Sequence, residues 1–160
     1  MAAKHESRIV ALGGTFEQPH KGHVRFISKA LQVGDQVIIG LSSDSFLAAR
    51  KKKHHVSSYE DRLSNLKSFL SRIGAIERVT IVPLDDPYGP TIVREEVSSI
   101  VVSPETLSTA IEINRIRIGK GMSPLRIYVI DFALAEDGRP ISTSRVSEGV
   151  INRQGRLLKS

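Results

Sequence analysis

The stretch VALGGTFEQPHKGHVRFISKAL, residues 10–31, decides the fold. It begins as a short apolar run that ends at two glycines, which is typical of a buried strand. From Gly22 onward the apolar residues recur at helical spacing, and Gly34 is placed to close that helix as its C-cap. The stretch therefore predicts a strand, a glycine-rich turn and a helix in immediate succession.

The rest of the chain continues this alternation of strand and helix. Apolar, β-branched runs predict further strands at residues 36–41, 79–83, 99–102 and 125–130. Helices are predicted between them at residues 42–47, 57–73 and 104–119, and a last one from residue 142 to about residue 149. In the helix at 104–119, the spacing predicts that Leu107, Ile111 and Ile118 face inward.

Apolar strands that alternate with helices are typical of a parallel sheet covered on both faces. We therefore expect an α/β fold with a single doubly wound parallel sheet of the Rossmann-like kind. Because the sequence has no internal repeat or low-complexity linker, it predicts one domain over residues 1–160. For the polar tail from about residue 151, two alternatives stay open: it covers the site, or it is mobile in solvent. Ligands of such sheets bind at the carboxyl ends of the strands, near the point where strand order reverses.

The composition excludes several classes of function. The chain has no cysteine, and charges or glycines interrupt every apolar run before the about 20 residues that a membrane span needs. Since the N-terminus has no signal-peptide pattern, we expect a cytoplasmic protein. The 23 basic and 17 acidic residues give a net charge of +6, which favours polyanionic partners. Because only 5% of the residues are aromatic, we expect small phosphorylated ligands rather than nucleic acid.

The residues after the first predicted strand suit phosphate binding. Gly13 and Gly14 allow a sharp turn and let a ligand approach the main chain closely. Gly22 and His23 fall near the start of the next helix, where free N–H groups and the helix dipole favour an anion. A histidine there can donate a hydrogen bond to a phosphoryl oxygen whose charge grows in a transition state, and Thr15 adds a hydroxyl.

Two other interpretations of the histidine pair stay open. His20 and His23 could hold a metal ion, but their i, i+3 spacing without an intervening Glu is unlike the zincin pattern. We therefore expect no metal bound by the protein itself. The pair could also belong to a structural loop that binds nothing. Phosphate binding is the interpretation that best explains why glycines, a threonine and histidines are concentrated in so few residues.

Two separated motifs resemble those of the HxGH nucleotidyltransferase superfamily. The first is GGTF at residues 13–16 followed by HKGH at residues 20–23, and the second is ISTSR at residues 141–145, where the last helix is predicted to begin. Within that superfamily the chain most resembles the archaeal-type phosphopantetheine adenylyltransferases. The supporting stretches are YEDR at residues 59–62, DPYGPT at 86–91, VVSPET at 101–106, INR at 113–115 and AEDGRPIS at 135–142. Three positions depart from the pattern: Glu17 replaces the common Asp, Ser58 the frequent Pro, and residues 142–144 permute the hydroxyl order.

The resemblance implies transfer of the adenylyl group of ATP to 4′-phosphopantetheine, which gives dephospho-coenzyme A and pyrophosphate in coenzyme A biosynthesis. It implies that Thr15 orients the attacking phosphate, that His23 stabilises the charge on the α-phosphate, and that His20 contacts the nucleotide phosphates. Mg²⁺ is expected on the triphosphate, held by ATP oxygens and water. The implied ATP site comprises Gly13, Gly14, Phe16, Gly22, Lys51, Lys52, Lys53, Ser103, Glu105, Ser142, Thr143, Ser144 and Arg145.

Some of these assignments also have a reason in the residues themselves. Arg50 and lysines 51–53 follow the second strand and its short helix, close enough to reach the same site, and we expect at least one of the three lysines to neutralise phosphates. The hydroxyls and the arginine at residues 142–145 exceed what an N-cap needs, which predicts a site for the β- and γ-phosphates. Glu105 cannot bind phosphate directly, so its role would lie toward the ribose or the metal. For the acceptor we predict contacts from Thr15, Tyr88, Thr91, Asn114 and Arg115.

Other functions stay open beside this one. The superfamily motifs do not separate phosphopantetheine from nicotinamide mononucleotide, FMN or a polyol phosphate as the acceptor, nor ATP from CTP as the donor. From another class, the net charge of +6 is compatible with a nucleic-acid-binding module, and the phosphate cradle with a nucleotide sensor. We expect ATP and 4′-phosphopantetheine as the partners, in an oligomeric state that the sequence leaves undetermined.

Overall fold

The computed structural model describes residues 8–17, 19, 21–50 and 56–130. Strands and helices alternate along them, as the sequence predicts. The strands are β1 (Ile9–Gly14), β2 (Gln36–Ser42), β3 (Val79–Leu84), β4 (Val97–Val102) and β5 (Arg126–Val129). The α-helices are α1 (Lys21–Val33), α2 (Asp44–Ala49), α3 (Tyr59–Arg72) and α4 (Leu107–Gly119). Short 3₁₀ helices lie at Ile76–Arg78 and Gly89–Ile92.

The five strands form one parallel sheet in the order β3-β2-β1-β4-β5. The chain starts at the centre, moves outward through β2 and β3, and then returns to the other side of β1 to add β4 and β5. Strand order therefore reverses between β1 and β4, and in sheets of this kind the loops there leave a crevice for ligands. The predicted doubly wound α/β fold is confirmed.

A separate core fills each face of the sheet because successive strand residues point to opposite sides. On one face, Val10 and Leu12 of β1 pack against apolar residues of α1 and α3. On the other face, Ala11 of β1 and Ile100 of β4 pack against Ala110 and other residues of α4. The sheet is thus covered by helices on both sides, which holds its carboxyl edge in a fixed shape.

The predicted inward face of α4 is wrong for two of its three residues. Ile111 and Ile118 are 49% and 61% exposed, whereas Ala110, Ile113 and Arg117 are the buried residues of this helix. The apolar residues of α4 are spread around the whole helix, so their spacing does not mark one face. The buried position at Arg117 belongs to a charged residue, which hydrophobic periodicity assigns to solvent.

Glycines near β1 act differently from the prediction. Gly13 and Gly14 are the last two residues of β1 and pair with Gly40 and Leu41 of β2, so the turn comes only after them. Gly34 follows the end of α1 as predicted, and its N–H donates to the Ala30 carbonyl at 2.9 Å. A Cβ atom on Gly34 would lie 2.3 Å from Cγ2 of Val10, so close packing on β1 is what requires a glycine here.

Candidate active site

A cavity of about 520 Å³ opens at the carboxyl edge of the sheet, where strand order reverses. The ends of β1, β2, β3 and β4 all contribute to it, together with α2 and the start of α4. Its walls are largely aliphatic, and include Leu84, Ile100, Val102, Ala110 and Ile113. Its polar side chains are those of Thr15, Ser42, Arg50, Asp85, Asp86, Thr106 and Thr109. The cavity is therefore an apolar slot with a polar mouth.

The loop after β1 forms the centre of this mouth. Thr15 lines the cavity and is half-buried. Phe16 is 3% exposed and has a φ of 50°, a left-handed conformation that is uncommon for a residue with a side chain. A Cβ atom on Gly14 would come within 2.9 Å of the Phe16 ring, so the glycine leaves the room that this ring occupies. Such strain persists only where the surroundings fix the loop.

Arg62 of α3 is one of the groups that fix the loop. Its side chain is fully buried, and its guanidinium donates to the Thr15 carbonyl at 3.1 Å and to the Ser42 carbonyl at 2.7 Å. It also donates to the Ser57 carbonyl at 2.9 Å and pairs with Asp44 at 3.0 Å. One side chain thus ties the ends of β1 and β2 to the starts of α2 and α3.

Glu17 holds the same loop from the other end. Its carboxylate accepts a hydrogen bond from the Ser57 backbone N–H at 2.9 Å and another from the Ser57 hydroxyl at 2.6 Å. The hydroxyl of Ser42 adds a bond to the Gly14 carbonyl at 3.2 Å. Because residues far apart in sequence make these bonds, the backbone around Thr15 is held in one position before any ligand binds.

His23 lies in the first turn of α1, beside the loop. Its ring is half-buried and contacts the Phe16 ring, with 4.7 Å between the ring centroids and a tilt of 37°. The contact limits the orientations that the imidazole can take. Phe16 therefore connects the strained loop with the histidine to which the sequence assigns charge stabilisation.

Tyr59, at the start of α3, lies next to Arg62, and the pKa of this tyrosine is shifted. The ring lies 5.9 Å from the guanidinium carbon of Arg62. Burial raises the pKa of Tyr59, and the negative charges of Glu60 and Asp85 raise it further, while the positive charge of Arg62 opposes them. The tyrosine therefore stays neutral at physiological pH.

The structure brings some of the predicted site residues together. Gly13, Gly14 and Thr15 line the cavity, and Phe16, Gly22 and His23 follow in the adjoining loop and helix. Tyr88 and Thr91 lie beside a smaller cavity of about 40 Å³, which shares Gly13 and Ile113 with the larger one. Thr91 is buried, and its hydroxyl donates to the Tyr88 carbonyl at 2.5 Å, which stabilises the 3₁₀ turn.

Other predicted residues are engaged elsewhere. The amide of Asn114 donates to the Leu125 carbonyl at 2.9 Å and accepts from the Leu125 N–H at 2.6 Å, so it anchors the entry to β5 instead of facing the acceptor. Arg115 is exposed and pairs with Glu112 on the same helix. Neither side chain lines the cavity, so the structure does not bring these two predicted residues to it.

The two positions predicted after β4 also lie outside the lining of the cavity. Ser103 is buried, its backbone N–H donates to the Thr106 hydroxyl at 3.0 Å, and its own hydroxyl lies 3.2 Å from that of Thr106. Glu105 is exposed. It is Thr106 and Thr109, at the start of α4, that reach the cavity. The remaining predicted residues lie outside the described part of the chain: His20, Lys51, Lys52, Lys53, Ser142, Thr143, Ser144 and Arg145.

Sequence reasoning did not assign Asp85 or Thr109 to the site, and it gave Arg50 and Thr106 no role of their own within residues 50–53 and 103–106, which it placed there. Asp85 follows directly on β3, which is the signal that could have found it, whereas Thr109 lies inside α4. Among the described residues, no three His, Asp or Glu side chains group as metal ligands, and no helix is long and apolar enough to cross a membrane.

Comparisons with known proteins show the family to which the chain belongs. The cytidylyltransferase-like family matches residues 11–149. A phosphopantetheine adenylyltransferase of Methanopyrus kandleri is 48% identical over 139 residues, which cover 87% of this chain and 88% of the relative. One of Methanosarcina mazei is 46% identical over 153 residues, which cover 94% and 97%. A crystal structure of a protein of unknown function from Archaeoglobus fulgidus has a TM-score of 0.68 at 36% identity, and covers 76% of this chain and 88% of that one. The chain therefore belongs to the cytidylyltransferase-like family and, within it, to the phosphopantetheine adenylyltransferases.

Proposed function

We propose that the protein transfers the adenylyl group of ATP to 4′-phosphopantetheine and releases pyrophosphate. The observation that carries this proposal is that relatives named for this activity align along nearly the whole chain. The product is dephospho-coenzyme A, which places the protein in coenzyme A biosynthesis. We expect the reaction to take place in the cytoplasm.

The cavity supports phosphopantetheine as the acceptor. A volume of about 520 Å³ lies in the range of small-molecule sites and holds one ligand of this size. Aliphatic walls suit the flexible arm of pantetheine, and the polar mouth suits a phosphate at one end of it. The mouth lies at Thr15, where the attacking phosphate would have to stand.

The reaction needs positioning more than proton transfer. An oxygen of the acceptor phosphate attacks the α-phosphorus of ATP in line, a new P–O bond forms, and the bond to pyrophosphate breaks. The attacking group is already an anion at neutral pH, so no general base is required. In this proposal the Thr15 hydroxyl orients the acceptor phosphate, and His23 donates a hydrogen bond to the α-phosphate as its charge grows.

Mg²⁺ is part of the nucleotide substrate in this proposal. It prefers oxygen ligands in an octahedral arrangement and keeps several waters, so triphosphate oxygens and water can complete its shell. The ion would offset the negative charge of the leaving pyrophosphate. The chain's own contribution is to hold the loop at Thr15 and the histidine of α1 in place.

Pyrophosphate release is the direct test. The purified protein is incubated with ATP, Mg²⁺ and 4′-phosphopantetheine, and in parallel with nicotinamide mononucleotide, FMN or glycerol 3-phosphate as the acceptor. We expect release with phosphopantetheine only, dephospho-coenzyme A in the mass spectrum, and a rate that falls by about 10²–10³ in His23→Ala. Release with another acceptor would contradict the substrate, and no release with any of them would contradict the activity.

A further inference from the structure

We propose that Glu17 is a positioning residue of the reaction, which keeps the loop after β1 in the shape that aims Thr15 and His23 at the transferred phosphoryl group. The inference rests on the proposed function and deepens it, because it adds a residue that acts without touching either substrate. The comparisons assign no role to this carboxylate. Glu17 is not among the described residues that line the cavity.

Glu17 closes a ring of hydrogen bonds around the loop. One of its carboxylate oxygens accepts from the Ser57 N–H at 2.9 Å, and the other accepts from the Ser57 hydroxyl at 2.6 Å. The carbonyl of Ser57 accepts from the Arg62 guanidinium at 2.9 Å, and the same guanidinium donates to the Thr15 carbonyl at 3.1 Å. The ring therefore leaves the loop at Thr15, passes through Arg62 and Ser57, and returns to the loop at Glu17.

Phe16 is the residue that this ring encloses. Its φ of 50° is a left-handed conformation, which a residue with a side chain keeps only where its surroundings fix it. Arg62 holds Thr15 on one side of it, and Ser57 holds Glu17 on the other side. Glu17 thus provides one of the two anchors that keep Phe16 in this conformation.

The conformation of Phe16 in turn positions the histidine of α1. The Phe16 ring is buried, and its centroid lies 4.7 Å from that of the His23 ring. If Phe16 relaxed to a negative φ, its ring would leave this place and the imidazole would lose the contact. The Thr15 hydroxyl would turn with the same stretch of backbone. Glu17 therefore acts on both side chains that the proposed reaction uses.

The length of the Glu17 side chain is matched to Ser57. The 2.6 Å bond from the Ser57 hydroxyl has the length of a charge-assisted bond to a carboxylate, which is roughly twice as strong as a bond between neutral groups. An aspartate is one methylene shorter and would not reach both donors of Ser57 from the same backbone position. Shortening this side chain is therefore a graded way to loosen the loop.

A positioning role predicts a loss in kcat and not in substrate binding. Because Glu17 lies outside the cavity lining, its replacement leaves the walls that would bind the substrates unchanged. We expect kcat to fall about 10²-fold in Glu17→Ala and about tenfold in Glu17→Asp, with the KM values for ATP and 4′-phosphopantetheine within about twofold of the wild type. Glu17→Gln keeps the length and one of the two bonds, so it should recover most of the activity that Glu17→Asp loses.

Glu60→Gln is the matched control for these variants. Glu60 is an exposed carboxylate in the first turn of α3, close in sequence to Ser57, and it does not line the cavity. We expect its kcat and both KM values to equal those of the wild type.

A double-mutant cycle tests whether Glu17 acts through Ser57. Ser57→Ala removes the hydroxyl bond and leaves the backbone bond, so we expect kcat to fall less than in Glu17→Ala. In Glu17→Ala/Ser57→Ala, kcat should equal that of Glu17→Ala alone, since the bond is already lost. If the two losses multiply instead, the residues act independently and the ring does not carry the effect.

NMR of the imidazole supplies a readout that stability alone does not move. The ring C–H signals of His23, assigned by their loss in His23→Ala, report the position of the neighbouring Phe16 ring. We expect them to shift in Glu17→Ala and Glu17→Asp and to stay in place in Glu60→Gln. Unshifted signals beside a lowered kcat would overturn the path through Phe16.

Two kinetic outcomes also overturn the inference. An unchanged kcat with a lowered melting temperature would make Glu17 purely structural, and a raised KM with an unchanged kcat would place it on a substrate. In either case an active wild type leaves the proposed function intact, whereas a wild type that releases no pyrophosphate contradicts the function and the inference together. Where Glu17→Ala does not fold, Glu17→Asp and Glu17→Gln decide the outcome.

Discussion

Two buried arginines, Arg62 and Arg117, lie at opposite edges of the sheet, and each joins several segments through hydrogen bonds from its guanidinium. Arg62 is fully buried and Arg117 is 1% exposed, and each guanidinium donates to four acceptors. The acceptors of Arg62 stand around the cavity, at the ends of β1 and β2. Those of Arg117 are carbonyls at the end of α4 and along the connection that leads into β4. Equal burial therefore does not mean equal function.

The two arginines also differ in charge compensation. Arg62 has a carboxylate partner in Asp44, whose side chain is 62% exposed. Within the described residues Arg117 has carbonyl acceptors only. Burial lowers the pKa of Arg117, and the nearby charge of Glu95 opposes that shift. Arg117 still remains charged at neutral pH, because the ordinary pKa of an arginine lies far above it. Away from the cavity, the fold tolerates the buried charge of Arg117, which joins loops without a carboxylate partner. Beside the cavity, where a loop must stay in place, Arg62 has such a partner in Asp44.

The largest effect is expected from Arg62→Met. The variant leaves the buried Ser42 carbonyl without its donor and releases the Thr15 carbonyl, so we expect a loss of about 3 kcal/mol in the free energy of unfolding. Asp44 adds little to this loss because it stays solvated. The loop would also lose its position, and we expect kcat/KM to fall about 10²-fold. Urea unfolding and the pyrophosphate assay, run where the variant is folded, measure the two effects separately.

Arg117→Met removes the corresponding hydrogen bonds at the other edge of the sheet. We expect it to lower the stability of the protein without lowering its activity. The carbonyls of Val97 and Thr91 lose their donor, while the cost of burying the charge disappears, so a loss of about 2 kcal/mol follows. At a temperature where circular dichroism shows a folded protein, kcat/KM should stay within about twofold of the wild type. A fall in kcat/KM as large as that of Arg62→Met would contradict the idea that only Arg62 supports the active site.

The sequence could predict the fold and the position of the cavity, but not that the two arginines are buried. Alternating strands and helices gave the fold, and the residues after β1 pointed to the cavity mouth at Gly13 and Thr15. Periodicity fails for α4 because a charged residue, Arg117, occupies one of its buried positions. The resemblance assigned Asn114 to the substrate, and the structure shows its amide bonded to Leu125, a partner that is known only once α4 and β5 are packed together.

The rest of the site could not be predicted for a related reason. Asp85 follows β3 and Thr109 lies in α4, and the two come together only when strand order is known. Nor does the sequence show that Phe16 adopts the left-handed conformation, since a glycine was the expected residue at the turn. The sequence predicted a turn in the correct segment but attributed it to the glycines and not to Phe16.

Gly14 and Gly34 give a second comparison between the site and the rest of the fold, with smaller expected effects. Gly14→Ala places a methyl group against the Phe16 ring, and we expect kcat/KM to fall about tenfold because the contact between Phe16 and His23 shifts. Gly34→Ala places one against Val10 and the Arg8 carbonyl, which would cost about 1–3 kcal/mol of stability as overpacking does. Thermal unfolding and the pyrophosphate assay of both variants check this. A Gly34→Ala enzyme that is folded but inactive would contradict the separation of site and scaffold.

The smallest effect is a shift in the ionisation of Tyr59. Its pKa lies above the ordinary value of 10.0, so its neutral form stabilises the fold below that pH, and this stability is lost as the pH rises through the raised pKa. Tyr59→Phe should therefore resist alkaline unfolding better than the wild type. In an absorbance titration of the phenolate it should also remove the component whose midpoint lies above that of a free tyrosine.

Tyr59 also reports which arginine stands beside it. Because the charge of Arg62 lowers the pKa of Tyr59, Arg62→Met should raise the midpoint of that component further, whereas Arg117→Met should leave it where it is in the wild type. Circular dichroism at each pH restricts the titration to folded protein. Equal shifts in both variants would mean that Tyr59 senses the loosening of the fold and not the charge of its neighbour, and the electrostatic part of the comparison would then have to be given up.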